Sequence, residues 1–233
     1  MPPLAAGATY GGSRVLELQS HCPFRAFAQL RLRAEPLEEP QTGIDRRLRG
    51  IVLHRALQRF WAELQSQQAL LRLDTADCDR RVTAAIDQSM SEVLPAQRGQ
   101  RSLALERDWQ RRAIGHLLAL ERARPAFTVV ETERVLNGRI GGLDLRLRVD
   151  RVDRIGDERV VIDYKSGAVR KAQWRGARME APQLPLYAVL HPEHPAGIAI
   201  AELGSDRADF VGVCRDEGLI EGLQSARDFE LTE

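Results

Sequence analysis

The apolar pattern of this chain changes period at Pro125, and that change limits the folds open to it. Before it, Leu53, Ala56, Leu57, Phe60, Trp61 and Leu64 recur at spacings of three and four, one apolar stripe along an amphipathic helix. After it, Leu143-Asp144-Leu145-Arg146-Leu147-Arg148-Val149-Asp150 alternates apolar and charged residues, the pattern of a half-buried strand. A chain that is helical first and β-rich afterwards buries both halves by packing helices on a sheet, an α/β (α+β) arrangement.

Residues 1–12, rich in Pro, Gly and Ala, are expected to be disordered. A short helix fits 13–32, broken at Cys22-Pro23-Phe24 because proline disfavours the helical conformation at the residue before it. The Pro-containing acidic stretch 35–42 reads as a loop, and 45–67 as the main helix. Helices over 74–94 and 102–124 are bounded by Pro95 and Pro125. Beyond Pro125, a strand over 126–136 pairs with the alternating segment across Gly141-Gly142. Gly156-Asp157 marks a second turn, before a strand over 159–165. A helix over 180–190 and strands over 197–203 and 209–214 complete the pattern. The expected organisation is one domain over 13–233: a helical part at 13–125, a β-β-β-α-β core at 126–214 and a tail at 215–233.

A length of 233 residues permits a substantial core. The net charge of +1 gives no global argument for nucleic-acid binding, so such binding needs a local basic face. Cys22, Cys78 and Cys214 are widely separated and form no CxxC pair, which argues against a disulfide framework or a zinc ribbon. No stretch approaches the roughly 18 apolar residues of a membrane span, and the N-terminus has no charged region followed by an apolar one. A cytoplasmic protein with no membrane association is the expectation.

Of the 34 basic residues, two are lysine: Lys165 and Lys171. Lys165 closes Val160-Val161-Ile162-Asp163-Tyr164-Lys165, an apolar run ending in Asp-x-Lys. Lysine offers a compact charge with an adjustable pKa that arginine does not. Asp163 and Lys165 share a strand face, and antiparallel pairing across Gly156-Asp157 makes Asp150 and Asp163 potential neighbours. Facing carboxylates tolerate each other best around a cation, and oxygen ligands suit Mg²⁺ or Mn²⁺. A solvated polar strand face gives the same alternation, so the pattern alone leaves both readings open.

With these residues set beside Gly50-Ile51-Val52-Leu53-His54, Glu133, Val149-Asp150-Arg151-Val152-Asp153 and Gln183 with Tyr187, the chain resembles the PD-(D/E)xK nuclease superfamily, in particular its RecB/AddB-like exonuclease branch. Cys22-Pro23-Phe24-Arg25 looks like that branch's N-terminal segment. The resemblance implies a restriction-endonuclease-like core, a central mixed β-sheet flanked by helices. It implies Asp150, Asp163 and Lys165 as catalytic residues, and His54, Asp150, Asp163 and the Tyr164 carbonyl as ligands of Mg²⁺ or Mn²⁺. Glu133, Gln183 and Tyr187 would support them. Glu131 shares a strand face with Glu133, and the sequence barely separates the two.

Some relatives bind an iron–sulfur cluster through four cysteines; Cys22 lacks such partners here, so no cluster is expected. No G-x4-G-K-[ST] loop occurs, so the chain looks like the nuclease domain alone, a fragment or a stand-alone version. Arg170, Lys171, Trp174 and Arg175 follow the Asp-x-Lys strand and are candidate DNA contacts, with Trp174 either stacking on a base or packing under its loop. His191 and His194 read as a loop crossing rather than a metal pair. The expected function is a metal-dependent DNA exonuclease in repair or recombination, acting on DNA ends, with a helicase subunit as a conceivable partner. The alternatives are a catalytically silent domain that binds DNA ends or a helicase, and an endonuclease.

Overall fold

The computed structural model describes residues 12–35, 43–94, 99–174, 178–215 and 218–227. The expectation of a disordered N-terminus falls almost wholly outside these residues. Two short helices open the described chain, α1 (Arg14–His21) and α2 (Pro23–Arg31), separated by Cys22 in extended conformation. Proline occupies the first position of α2, where its missing N–H costs nothing. Helix α3 (Arg46–Leu64) starts at Asp45, whose carboxylate accepts from the Arg47 N–H. It stops three residues earlier than expected because Gln65 adopts the left-handed conformation. Ser66 then caps a short helix α4 (Gln67–Arg72) that the apolar pattern does not signal. Helices α5 (Thr75–Val93) and α6 (Gln100–Ala123) follow.

The β-rich half contains β1 (Thr128–Ile140), β2 (Leu143–Ile155), β3 (Glu158–Lys165), α7 (Gln183–Leu190), β4 (Gly197–Leu203), β5 (Ala208–Cys214) and β6 (Leu223–Ser225). Their spatial order is β1-β2-β3-β4-β5-β6. Pairing is antiparallel from β1 to β3, parallel between β3 and β4, antiparallel between β4 and β5, and parallel between β5 and β6. Helix α7 therefore makes the crossover that a parallel β3–β4 pair requires. Strand β6 lies in the stretch expected to be a tail. It is three residues long and without alternation, too short to register as a strand.

Each face of this mixed sheet is covered. Apolar side chains of α3, α5 and α6 pack with Val160, Ile162 and Tyr164 of β3 and with Ala199 and Ala201 of β4. On the other face, Leu184, Leu186 and Tyr187 of α7 and the buried Trp174 join Leu145, Leu147, Val149 and Val161. Period-two alternation in β3 thus sends Tyr164 to the helical layer and leaves Asp163 and Lys165 for the α7 side. In β2 the alternation skips a beat. Leu145, Leu147, Val149 and then Val152 lie in the α7-side cluster, while Arg151 and Asp153 turn toward Glu121 of α6. No helix among the described residues is long and apolar enough to cross a membrane.

Candidate active site

Two strands and two helices converge where β2 and β3 part. The β2–β3 ladder runs from Ile155–Glu158 to Arg151–Ile162. One rung further, Asp150 and Asp163 stand opposite each other, as the turn at Gly156-Asp157 implies. The Tyr164 N–H donates to Asp150 Oδ2 at 2.9 Å, so the carboxylate takes the place of a backbone acceptor. Helix α3 brings His54 over this end. Its Nδ1 is 3.2 Å from Asp150 Oδ2, and its Nε2 is 2.7 Å from the Tyr164 carbonyl. With Nε2 donating to that carbonyl, an Nδ1 proton is needed to attract the carboxylate. Burial pulls the imidazole pKa down, but Asp150 and Asp163 outweigh it, so the net shift is upward. Burial pushes Asp150 up, and His54, the Tyr164 N–H and Lys165 overcome it, leaving it below its usual value.

Asp163 is in the opposite position. It is fully buried, and burial together with the Asp150 charge raises its pKa to about 6, with Lys165 and His54 opposing. Lys165 Nζ lies 2.9 Å from the buried Asp163 Oδ2, close enough for its charge to oppose that upward shift. Gln183, at the start of α7, links the pair: its Oε1 accepts from Lys165 at 3.1 Å and its Nε2 donates to Asp163 Oδ1 at 2.9 Å. One turn on, Tyr187 Oη lies 2.6 Å from Gln183 Nε2 and donates to the Arg148 carbonyl at 2.6 Å. Burial and the Asp163 charge push the Tyr187 phenol pKa upward, so it keeps its proton. The lysine pKa is lowered by burial but raised more by Asp163 and Asp150, so the ammonium is the resting form.

Glu133 enters from β1 through a backbone irregularity. The β1–β2 register slips between Val129 and Glu131, and Glu133 itself has φ +51. A non-glycine residue in this region is uncommon and costs on the order of 1 kcal/mol or more. The conformation carries its carboxylate to His54 and Asp150; ligand atoms of the three lie within 4.8 Å of one another. Arg148 Nε contacts the same carboxylate at 2.8 Å. Glu131 is separated from Glu133 here: it pairs with buried His191 at 3.2 Å and with Arg134, away from His54. His191 thus serves the loop after α7, as the loop-crossing reading has it.

These groups suit a divalent cation. The grouped donors are Glu133, Asp150 and His54, the imidazole ligating only once its Nδ1 proton is lost, and the buried Asp163 Oδ2 faces the Lys165 ammonium at 2.9 Å. The Tyr164 carbonyl, implied as a ligand, accepts from His54 Nε2 on the same side of the site.

Two groups of charges were not legible as such. Arg151 is fully buried and forked onto Asp153 at 2.6 and 2.7 Å, with Glu121 at 2.7 Å, Tyr164 Oη at 3.3 Å and the Trp61 ring below it. Arg124 closes the set by contacting Glu121 at 2.7 Å and Asp153 at 2.8 Å. The four charges cancel, which is what permits their burial. The second group lines a cleft of about 1000 Å³ beside His54 and Glu133, with Arg47, Arg55, Arg59, Arg146 and Arg148 in its walls. Arg55 and Arg59 are four residues apart on a helix, a pairing visible in sequence, but only the packing of α3 beside β2 makes them a wall.

The expected DNA-contact cluster fares differently. Trp174 is 2% exposed and packs in the α7-side core, the second of the two arrangements open to it in the sequence. Arg170 is exposed. Arg175 and the side chain of Lys171 lie outside the described residues.

The sequence model of the PD-(D/E)XK nuclease superfamily matches residues 14–231. The chain belongs to this superfamily. The six-stranded mixed sheet flanked by helices is its restriction-endonuclease-like core. No curated protein matches the chain. Among solved structures, a candidate exonuclease from Eubacterium rectale shares 11% identity at a TM-score of 0.44, covering 89% of this chain and 74% of its own. The protein SSO0001 shares 16% identity at a TM-score of 0.25, covering 87% and 76%. Neither likeness is close enough to carry fold or function across.

Proposed function

We propose that this superfamily nuclease is a Mg²⁺- or Mn²⁺-dependent DNA exonuclease of the RecB type, acting in DNA repair or recombination. The observation that carries the reading is the facing of Asp150 and Asp163 across β2 and β3, with the Lys165 ammonium against one and His54 against the other. Asp150, Asp163, His54 and Glu133 would hold the cation. Bound there, it supplies a Lewis acid for the phosphoryl oxygen and acidifies its water.

The chain's own groups do the rest. Lys165, kept protonated by two carboxylates, is unsuited to act as a base; it donates to the developing negative charge on the phosphoryl group or orients the attacking water. Gln183 fixes the ammonium and the carboxylate at once, and Tyr187 fixes Gln183 by tying it to the β2 backbone. Tyr164 stands on the buried Arg151 group while its N–H orients Asp150.

End-labelled single- and double-stranded linear DNA and closed circular DNA, each incubated with Mg²⁺ or Mn²⁺, test the reading. Release of nucleotides from linear ends with circular DNA left intact is expected. Cutting of the circle makes the enzyme an endonuclease. Inertness on all three substrates, with no carboxylate-dependent Mn²⁺ binding by calorimetry, overturns the catalytic reading.

A further inference from the structure

Arg55 and Arg59 lie one helical turn apart on α3, in the same wall of the cleft that contains His54. Both guanidinium groups grip one carboxylate, that of Glu92 in the last turn of α5. Arg59 Nη2 is 2.7 and 2.6 Å from its two oxygens, and Arg55 Nη1 is 3.1 Å from one of them. Arg59 does not need Glu92 to hold its place. Its Nη1 donates to Ser89 Oγ at 2.8 Å, and Ser89 is wholly buried with its own hydroxyl donated to the Ala85 carbonyl. Glu92 is 39% exposed and can swing into solvent.

Two guanidinium groups converging on one small oxyanion is an arrangement that also suits a phosphate. The arginine cleft also continues past the candidate cation site. A smaller cavity of about 290 Å³ shares His54, Arg146 and Arg148 with it and reaches Asp150, Gln183 and Tyr187. Arg47 and Arg146 in this groove are exposed. Among the described residues, none that lines the larger cleft has a phenyl, phenol or indole ring, so these walls offer contacts to a backbone rather than stacking for bases.

We propose that Arg55 and Arg59 form a phosphate clamp for the nucleic-acid strand entering the site, and that Glu92 fills the clamp as a placeholder until the strand displaces it. This rests on the reading of the protein as a nuclease. It adds a site on the path to the scissile bond and an internal competitor that sets the affinity there. Since the contact is to phosphate, it serves any base sequence and weakens steeply with salt.

Fluorescence anisotropy of a fluorescein-labelled oligodeoxythymidine, titrated with the full chain in EDTA, reads binding without cleavage. Glu92→Gln is expected to tighten binding by roughly three- to tenfold, as one competing charge leaves a phosphate site. Glu63→Gln is the matched control. Glu63 also joins α3 to α5 through an arginine, Arg81, but lies outside the cleft; it should change affinity by less than about twofold. Combining Glu92→Gln with Arg59→Ala should erase the gain, and Arg55→Ala/Arg59→Ala should lower the salt slope by about one to two. Glu92→Gln binding no tighter than Glu63→Gln, an equal gain without Arg59, or no binding by either wild type or Glu92→Gln overturns the clamp. Absence of metal-dependent cleavage by a chain that shows these binding effects refutes the nuclease reading and leaves the clamp standing.

Discussion

The Lys165 ammonium lies 2.9 Å from Asp163 Oδ2, yet the lysine side chain is 40% exposed and the carboxylate not at all. The lysine reaches solvent, while the aspartate is held in a buried position that its charge does not favour. The pair is therefore organised for something other than stability.

One consequence is a dependence of stability on pH. The native-state pKa of Asp163, about 6, lies above the 3.8 expected of an unfolded aspartate, so the native state holds the proton more tightly. Stability from that proton is complete below the unfolded value and is lost as pH rises through 6. The difference corresponds to about 3 kcal/mol. Urea unfolding in EDTA should show Asp163→Asn gaining about 2–3 kcal/mol on wild type between roughly pH 4 and 7. An unchanging difference across that range would show that the buried charge is not strained.

A divalent cation should reverse that cost. Wild-type protein is expected to gain thermal stability with MnCl2 in a concentration-dependent manner and to lose it on adding EDTA, since a ligand of the native state alone stabilises by mass action. Asp150→Asn and Asp163→Asn should show neither response. A melting temperature indifferent to Mn²⁺ in wild type would place the cation elsewhere or nowhere.

The left-handed backbone at Glu133 separates conformation from chemistry. Glycine adopts this conformation without the side-chain penalty, so Glu133→Gly should match or exceed wild-type stability by up to about 1 kcal/mol. Glu133→Ala, which keeps a Cβ, should not. Both should weaken Mn²⁺ binding by calorimetry. Retained Mn²⁺ affinity in both would assign the irregularity to the sheet alone.

Beneath the site, Arg151 has contacts that a lysine cannot reproduce: a two-pronged grip on Asp153, Glu121 beside it and an indole below. Arg151→Lys should lose about 2–4 kcal/mol in denaturant unfolding, because buried carboxylates are left partly unpaired. A loss below about 0.5 kcal/mol would mean that the buried group relaxes or takes in water.

The elements of the fold were legible where their pattern is long. The stripe from Leu53 to Leu64 and the alternation from Leu143 to Val149 each give one face a continuous apolar cover. Short elements were not: α4 and β6 contain too few residues to show a period. The site was legible as an order of motifs, since the rung opposite Asp150 follows from the turn at Gly156-Asp157 and Gln183 and Tyr187 share a helix face. What escaped depends on tertiary arrangement. The skipped beat at Asp150 sends Arg151 and Asp153 toward Glu121, some thirty residues away in sequence. The resemblance singles out Glu133, but the left-handed backbone at that position is announced by no residue type.

The central claim is that Asp163 and Lys165 carry metal-dependent hydrolysis, and cleavage of end-labelled linear DNA in Mg²⁺ or Mn²⁺ tests it most directly. The account predicts degradation by wild type, none in EDTA, and rates lower by on the order of 100-fold or more for Lys165→Ala and Asp163→Ala while both remain folded by circular dichroism. Equal degradation by wild type and both variants would contradict it.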